Sequence, residues 1–375
     1  MRRIRTVFLA VSVTVVLLFA GLSLADRRTQ DDLFRAMGNL AEVVHLVRSD
    51  YVDPLDTEAL SQSLDAGILE SVDPWAAVLP EDLPSNPEDL VLAPPPYGLV
   101  FGLRLGSAAV RSTLAGSPAA SAGLEVGEVI EQVEGVYTRG RPLWHLRQEL
   151  LQLESRGEPV HMTVVDRTVD ARREVVLEAT AWHPLPPASA TRDGVRVITL
   201  SNLAGGTADA LRPLLAGPDP VVLDLRNLIW GDDDEAVRVA DLFAGSGSIG
   251  DWRGRRAGER AFTATAEVAA PAQTVALIDG GTEGPGEILA AALMRAKIEL
   301  VGSRTAGHAP HMQVVSDGGI RLWIPVADWL GADGEPITGH GVEPSQAVTG
   351  VASEKGDPVL ERALELVRTA HDQAA

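Results

Sequence analysis

The side chains able to do covalent chemistry are few in this chain. It has no cysteine, so thiol nucleophiles, thiolate-held zinc and disulfides are excluded. Two lysines, Lys297 and Lys355, stand among 32 basic residues. A lysine acts as a general base only when burial lowers its pKa. Lys355 sits in a polar run, and Lys297 ends a helical pattern that begins at Gly286, roughly 16 Å away at about 1.5 Å per residue. Histidine is the remaining base that works near neutral pH. His308, His311 and His340 match no recognised metal-ligand spacing, and neither a metal nor a cofactor is expected. The 52 acidic residues give a net charge of -20, which repels a phosphate backbone and argues against a nucleic-acid partner.

The elements that must position these groups follow from periodicity. With 375 residues the chain has room for two or three domains, and its 45% hydrophobic and 22% charged content rules out wholesale disorder. Arg2, Arg3 and Arg5 precede an uncharged run from Val7 to Ala25, which ends in Ser23-Leu24-Ala25. That pattern predicts an export signal over 1–25 or, if it is not cleaved, a membrane anchor over 7–25. Either places the remainder outside the cytoplasm, in the periplasm or cell envelope. Residues 30–72 carry apolar positions at three- and four-residue steps, which predicts helices that stop at Asp73-Pro74.

Beyond a proline-rich stretch, Val100–Leu105 and Val160–Val165 read as strands and Leu143–Leu153 as a helix. Residues 180–192, with Pro184, Pro186 and Pro187, read as a linker. Strands and helices then alternate: Val195–Leu200, Thr207–Leu215, Val221–Leu225, Asp234–Phe243, Thr274–Ile278 and Gly286–Lys297. That order predicts an α/β (α+β) multidomain chain with a βαβ-built core. Asp357-Pro358 opens a terminal helix. The expected domains are an N-terminal helical segment and linker over 26–92, a strand-rich unit over 93–182, the α/β core over 190–350 and a C-terminal helix over 351–375.

Four stretches in fixed order resemble the C-terminal processing (tail-specific) serine peptidases, which carry an internal PDZ domain. They are Gly67-Ile68-Leu69-Glu70-Ser71-Val72-Asp73-Pro74, then Gly116-Ser117-Pro118-Ala119 through Gly127-Glu128-Val129-Ile130, then Asp224-Leu225-Arg226-Asn227, and finally Gly341-Val342-Glu343-Pro344. The resemblance implies a PDZ domain over 93–182, in which backbone N–H groups around Tyr97, Gly98, Leu99 and Val100 would receive a peptide carboxylate while the peptide extends the sheet edge.

The resemblance also assigns the catalytic positions, and each is altered. The nucleophile position falls on Gly284, within Thr282-Glu283-Gly284-Pro285-Gly286-Glu287-Ile288, and no serine lies between Ser248 and Ser303. The base position falls on His308 in place of lysine. The oxyanion loop reads Leu228-Ile229-Trp230-Gly231, with Trp230 where the family has glycine. A family glutamine four residues after the base is answered by Gln313, five residues on. These substitutions imply an exported, non-proteolytic relative that binds polypeptide C-termini or unfolded peptides and regulates a partner, which an active relative would supply. One alternative is an active endopeptidase with a relocated Thr282–His308 pair, and another is a structural assembly protein. The resemblance also raises a homodimer through the terminal helices.

Overall fold

The computed structural model describes residues 34–52, 57–80, 93–350 apart from 170, 257, 266 and 272, and 356–374. The export segment expected over 1–25 lies outside them. No helix among the described residues is long and apolar enough to cross a membrane. The chain divides into two compact units, residues 1–64 and 65–375. In the first, a helix over 34–50 leaves its apolar residues Phe34, Met37, Val43 and Leu46 exposed.

The described residues of the second unit form three sheets in a mixed α/β structure. The first is antiparallel, in the order Leu99–Arg104, Ser107–Thr113, Val129–Val133, Val160–Asp166, Ala171–Leu177, with Val136–Tyr137 paired to the third strand. Leu99–Arg104 is an outer strand, with one edge unpaired in the sheet. Helix Leu143–Ser155 contributes Leu143, Leu146 and Leu150 to the core beneath it. Ser117 caps the short helix Pro118–Ser121 by accepting from the Ala120 amide. Gly98, at φ 69°, approaches that cap so closely that a Cβ would lie 2.1 Å from the Ser117 Cβ.

The second sheet runs Gln346–Ala347, Glu299–Gly302, Thr274–Ile278, Val221–Asp224, Val195–Thr199, Ala188–Arg192, parallel except for its last strand. Residues 188–192 are therefore an antiparallel edge strand and not linker. All five are exposed, so no hydrophobic run announces them. Helices Thr207–Leu215, Asp233–Asp241 and Pro285–Arg295 join the core on one face, through Leu211, Val239 and Leu289. The terminal helix Pro358–Ala374 covers the other with Leu360, Ala363, Leu364 and Val367. Arg226 ties the strand Val221–Asp224 to that helix by pairing with both Asp224 and Asp357.

The third sheet has no counterpart in the expectations. It joins Ala77–Val78, Ile320–Trp329, Ser248–Gly254 and Gly258–Thr263, with Pro310–Asp317 paired to Ile320–Trp329. By pairing Ala77 with Trp323 it brings the segment after Asp73-Pro74 alongside the loops at the carboxyl ends of the parallel strands. In open α/β sheets those ends are where sites form.

Candidate active site

Strand Thr274–Ile278 leads through a tight turn into helix Pro285–Arg295. Thr282 is wholly buried in that turn; its hydroxyl donates to the Leu225 carbonyl at 2.9 Å and accepts from the Asp279 amide at 3.1 Å. Gly284 caps the helix at φ 56° and ψ -120°, a backbone that L-residues adopt only under strain. Such a strand–turn–helix elbow is how a nucleophile is lifted into a site, and here it carries no side chain. A Cβ on Gly284 would meet no atom nearer than the Ile229 carbonyl at 3.9 Å. The Gly284 amide donates to the His308 carbonyl at 3.0 Å, so it is not directed at an incoming oxyanion.

The loop after Glu299–Gly302 is pinned by Glu287 of the same helix. Its buried carboxylate accepts from the Thr305 hydroxyl, the Gly307 amide at 2.7 Å and the His308 amide at 2.8 Å. Burial raises the Glu287 pKa. That clamp sets the His308 ring between two carboxylates, with Nε2 2.8 Å from Asp73 and Nδ1 3.3 Å from Glu283. Arg111, from the first sheet, pairs with Glu283 at 2.5 Å. Burial by itself would lower the His308 pKa, but hydrogen bonds and charge from Asp73 and Glu283 outweigh it and lift it to about 10. Burial would raise the Glu283 pKa, and His308 and Arg111 together hold it below the usual range. At neutral pH His308 is an imidazolium with both ring nitrogens donating, which leaves no lone pair to accept a proton. Thr282 and His308 are thus not a hydrogen-bonded pair.

The third loop, Leu228 to Gly231, is fixed by backbone. Leu203 donates to the Trp230 carbonyl at 3.0 Å, and a Cβ on Gly231 would fall 2.4 Å from that of Leu203. Asp232 then caps helix Asp233–Asp241. Asp233 faces His311 at 3.6 Å, and the His311 ring lies 4.9 Å from Trp252. Burial raises the Asp233 pKa, against the pull of His311. Gln313 lies 3.0 Å from the His311 ring, not beside His308. His340 lies apart, with Nδ1 against the Pro336 carbonyl.

These loops open on one cavity of about 380 Å³, whose wall runs from the outer strand at Leu99, Val100 and Phe101 past Trp144 and Arg147 to Trp230, Gly284 and His308. The strands of the second sheet that build it are the part of the chain that matches a described family: residues 195–348 match Peptidase family S41. Over that segment the chain is similar to peptidase family S41. A probable CtpA-like serine protease of Staphylococcus aureus is 23% identical over 325 residues, covering 83% of this chain and 64% of that protein. The carboxy-terminal processing protease CtpA of Bacillus subtilis is 23% identical over 314 residues, 80% of this chain and 66% of that protein. The chain therefore spans about 64% of the length of the first of these relatives. Its fold is similar to that of a photosystem II D1 C-terminal processing protease, with a TM-score of 0.65, 22% identity and coverage of 81% of this chain and 86% of that one.

Of the positions singled out by sequence, Gly284, His308, Trp230 and Gly231 converge on the cavity wall, whereas Thr282 faces the interior. Tyr97 and Gly98 do not offer an open amide nest. The Tyr97 amide donates to the Glu154 carboxylate at 2.7 Å, the Gly98 amide to the Pro95 carbonyl at 2.8 Å and the Leu99 amide to the Pro96 carbonyl. Leu99 and Val100 reach the cavity as wall. Sequence reasoning missed Asp73, Glu283, Glu287 and Arg111. In sequence Asp73 reads as a helix stop, and Glu283 and Glu287 flank Gly284 without a role. Nothing in the sequence marks Arg111, whose partner lies 172 residues away.

Proposed function

We propose that this chain is an exported, non-proteolytic member of peptidase family S41 that binds peptide segments, with a PDZ-type unit at 93–182, and so regulates a partner. The observation that carries this is chemical: among the described residues lining the cavity there is no serine, threonine, cysteine or lysine. A peptidase of the serine type needs a hydroxyl activated by a base, and the wall offers a glycine at the elbow and a histidine already protonated. The relatives named as serine proteases supply the expectation of a peptide ligand, and the wall retains the means to hold one: an outer strand for backbone pairing and the aromatic side chains Trp75, Trp144, Trp230, Trp252 and Trp323. The arginines at positions 2, 3 and 5 and the uncharged run to Ala25 support export to the periplasm or cell envelope.

The test is incubation of the purified chain with an unfolded protein and with peptides of free carboxyl terminus, followed by mass spectrometry. Intact substrate is expected. Cleavage that disappears in Thr282→Ala or His308→Ala would overturn the proposal in favour of a relocated nucleophile.

A further inference from the structure

Among the described residues that line the cavity there is no serine, threonine, asparagine, glutamine or tyrosine. Histidines aside, the uncharged side chains of the wall that form strong hydrogen bonds are its indoles, and an indole can only donate. Two of these donors are unmet. The Nε1 atoms of Trp144 and Trp230 are buried and have no acceptor, and Trp144 as a whole is only 1% exposed. Buried donors are ordinarily paired, because an unpaired one has given up its water and gained nothing. Both are held in place. The Trp144 ring lies against Trp323 with centroids 5.7 Å apart, and the Trp230 carbonyl is fixed by the Leu203 amide at 3.0 Å. A ligand would therefore find them already ordered.

The ionic groups of the wall are engaged with one another or with backbone. Asp234 faces Arg260 at 3.4 Å, Glu283 lies 3.3 Å from His308, and Asp233 lies 3.6 Å from His311. Asp232 caps its helix, and Arg147 donates to the Ala93 carbonyl at 2.8 Å. Charges of both signs are thus matched within the wall, and what it holds out is a pair of neutral donors. Their complement is a neutral acceptor, and the strong uncharged acceptor that every residue of a polypeptide carries is its backbone carbonyl. We infer that the indole N–H groups of Trp144 and Trp230 bind backbone carbonyl oxygens of an extended peptide segment, reading its interior and neither of its charged ends. The inference rests on the peptide-binding reading and names the part of the peptide that is held. The peptide's own N–H groups meet a wall that carries the carboxylates of Asp232, Asp233, Asp234 and Glu283. Trp329 supplies a built-in reference: its Nε1 is also buried and unbonded, but the residue does not line the cavity.

The test follows the seven indole N–H signals of the full chain by NMR, with isotope-labelled tryptophan. The ligand is a short apolar peptide, acetylated and amidated, and its free-carboxylate twin is run beside it. The Trp144 and Trp230 signals, assigned through Trp144→Phe and Trp230→Phe, move downfield and exchange more slowly with water, while the Trp329 signal stays. By calorimetry each Phe variant binds the amidated peptide about threefold to tenfold more weakly, the size of one net hydrogen bond. The free acid gains nothing over the amide. Binding that leaves the two indole signals unmoved overturns the inference and leaves peptide binding standing. A free acid that binds at least about tenfold more tightly than the amide also overturns it, because the acceptor is then charged. Binding of neither peptide overturns both. Trp230, only partly buried on its loop, still gives its assignment and its change in affinity if Trp144→Phe fails to fold.

Discussion

His308 Nε2 lies 2.8 Å from Asp73 Oδ2, across 235 residues of sequence. The contact joins a loop of the α/β core to the segment that precedes the first sheet. The second ring nitrogen faces Glu283, and Glu283 faces Arg111. His308 is thus the centre of a four-residue ion-pair chain, Asp73–His308–Glu283–Arg111.

The first consequence is a stability that depends on alkaline pH. The His308 pKa is raised from 6.5 to about 10 on folding, so the folded state binds the proton more tightly than the unfolded one. Its contribution is complete below about pH 6.5 and is lost as pH rises from there through about 10, amounting to at most about 5 kcal/mol. Thermal melts between neutral and strongly alkaline pH should show this decline, and His308→Asn should flatten it. An equal slope in the variant would remove the histidine from the account.

Asp73 and Arg111 should differ sharply in weight. Asp73 is 4% exposed, and Asp73→Ala leaves a buried imidazolium with one carboxylate fewer, at a cost of about 3–5 kcal/mol. The Arg111 side chain is 41% exposed, so Arg111→Ala should cost no more than about 1 kcal/mol. Chemical denaturation of the two variants checks the order, and titration of the His308 ring by NMR should show its pKa fall in Asp73→Asn.

Glu287 is the part of the site whose loss should be felt most by the loop itself. Glu287→Ala strips acceptors from Thr305, Gly307 and His308 at once. Each unmade buried hydrogen bond costs about 1–3 kcal/mol, and the loop should lose protection from hydrogen exchange at 305–308. Unchanged exchange there would show that the clamp is not what orders the loop.

A serine placed at Gly284 should not by itself confer hydrolysis. A side chain at Gly284 meets nothing within 3.9 Å, but at φ 56° it costs about 1–3 kcal/mol in strain. Gly284→Ser should therefore melt lower and remain inactive, because His308 has no free lone pair to take the hydroxyl proton. Hydrolysis by this single variant would mean that His308 still acts as a base.

Much of the core was legible because its periods are clean. Thr207–Leu215 and Thr274–Ile278 are found where the apolar pattern put them, and Gly284, Trp230 and His308, named from motif order alone, lie together on the cavity wall. The third sheet was not legible. Pro310–Asp317 and Ile320–Trp329 mix proline, histidine and charged residues with apolar ones, and they are strands through pairing with each other, Ile320–Trp329 also pairing with Ala77–Val78 and Ser248–Gly254. The Asp73–His308 and Arg111–Glu283 pairs lie beyond any local signal, since no periodicity links residues 235 and 172 positions apart.

The central claim is that the cavity holds a peptide and leaves it whole. Calorimetric titration of the chain with a free-carboxylate peptide, with the recovered ligand then weighed by mass spectrometry, tests both halves in one sample. The account predicts saturable binding and a peptide of unchanged mass. Fragments that are lost in Thr282→Ala or His308→Ala, or the absence of any binding, would contradict it.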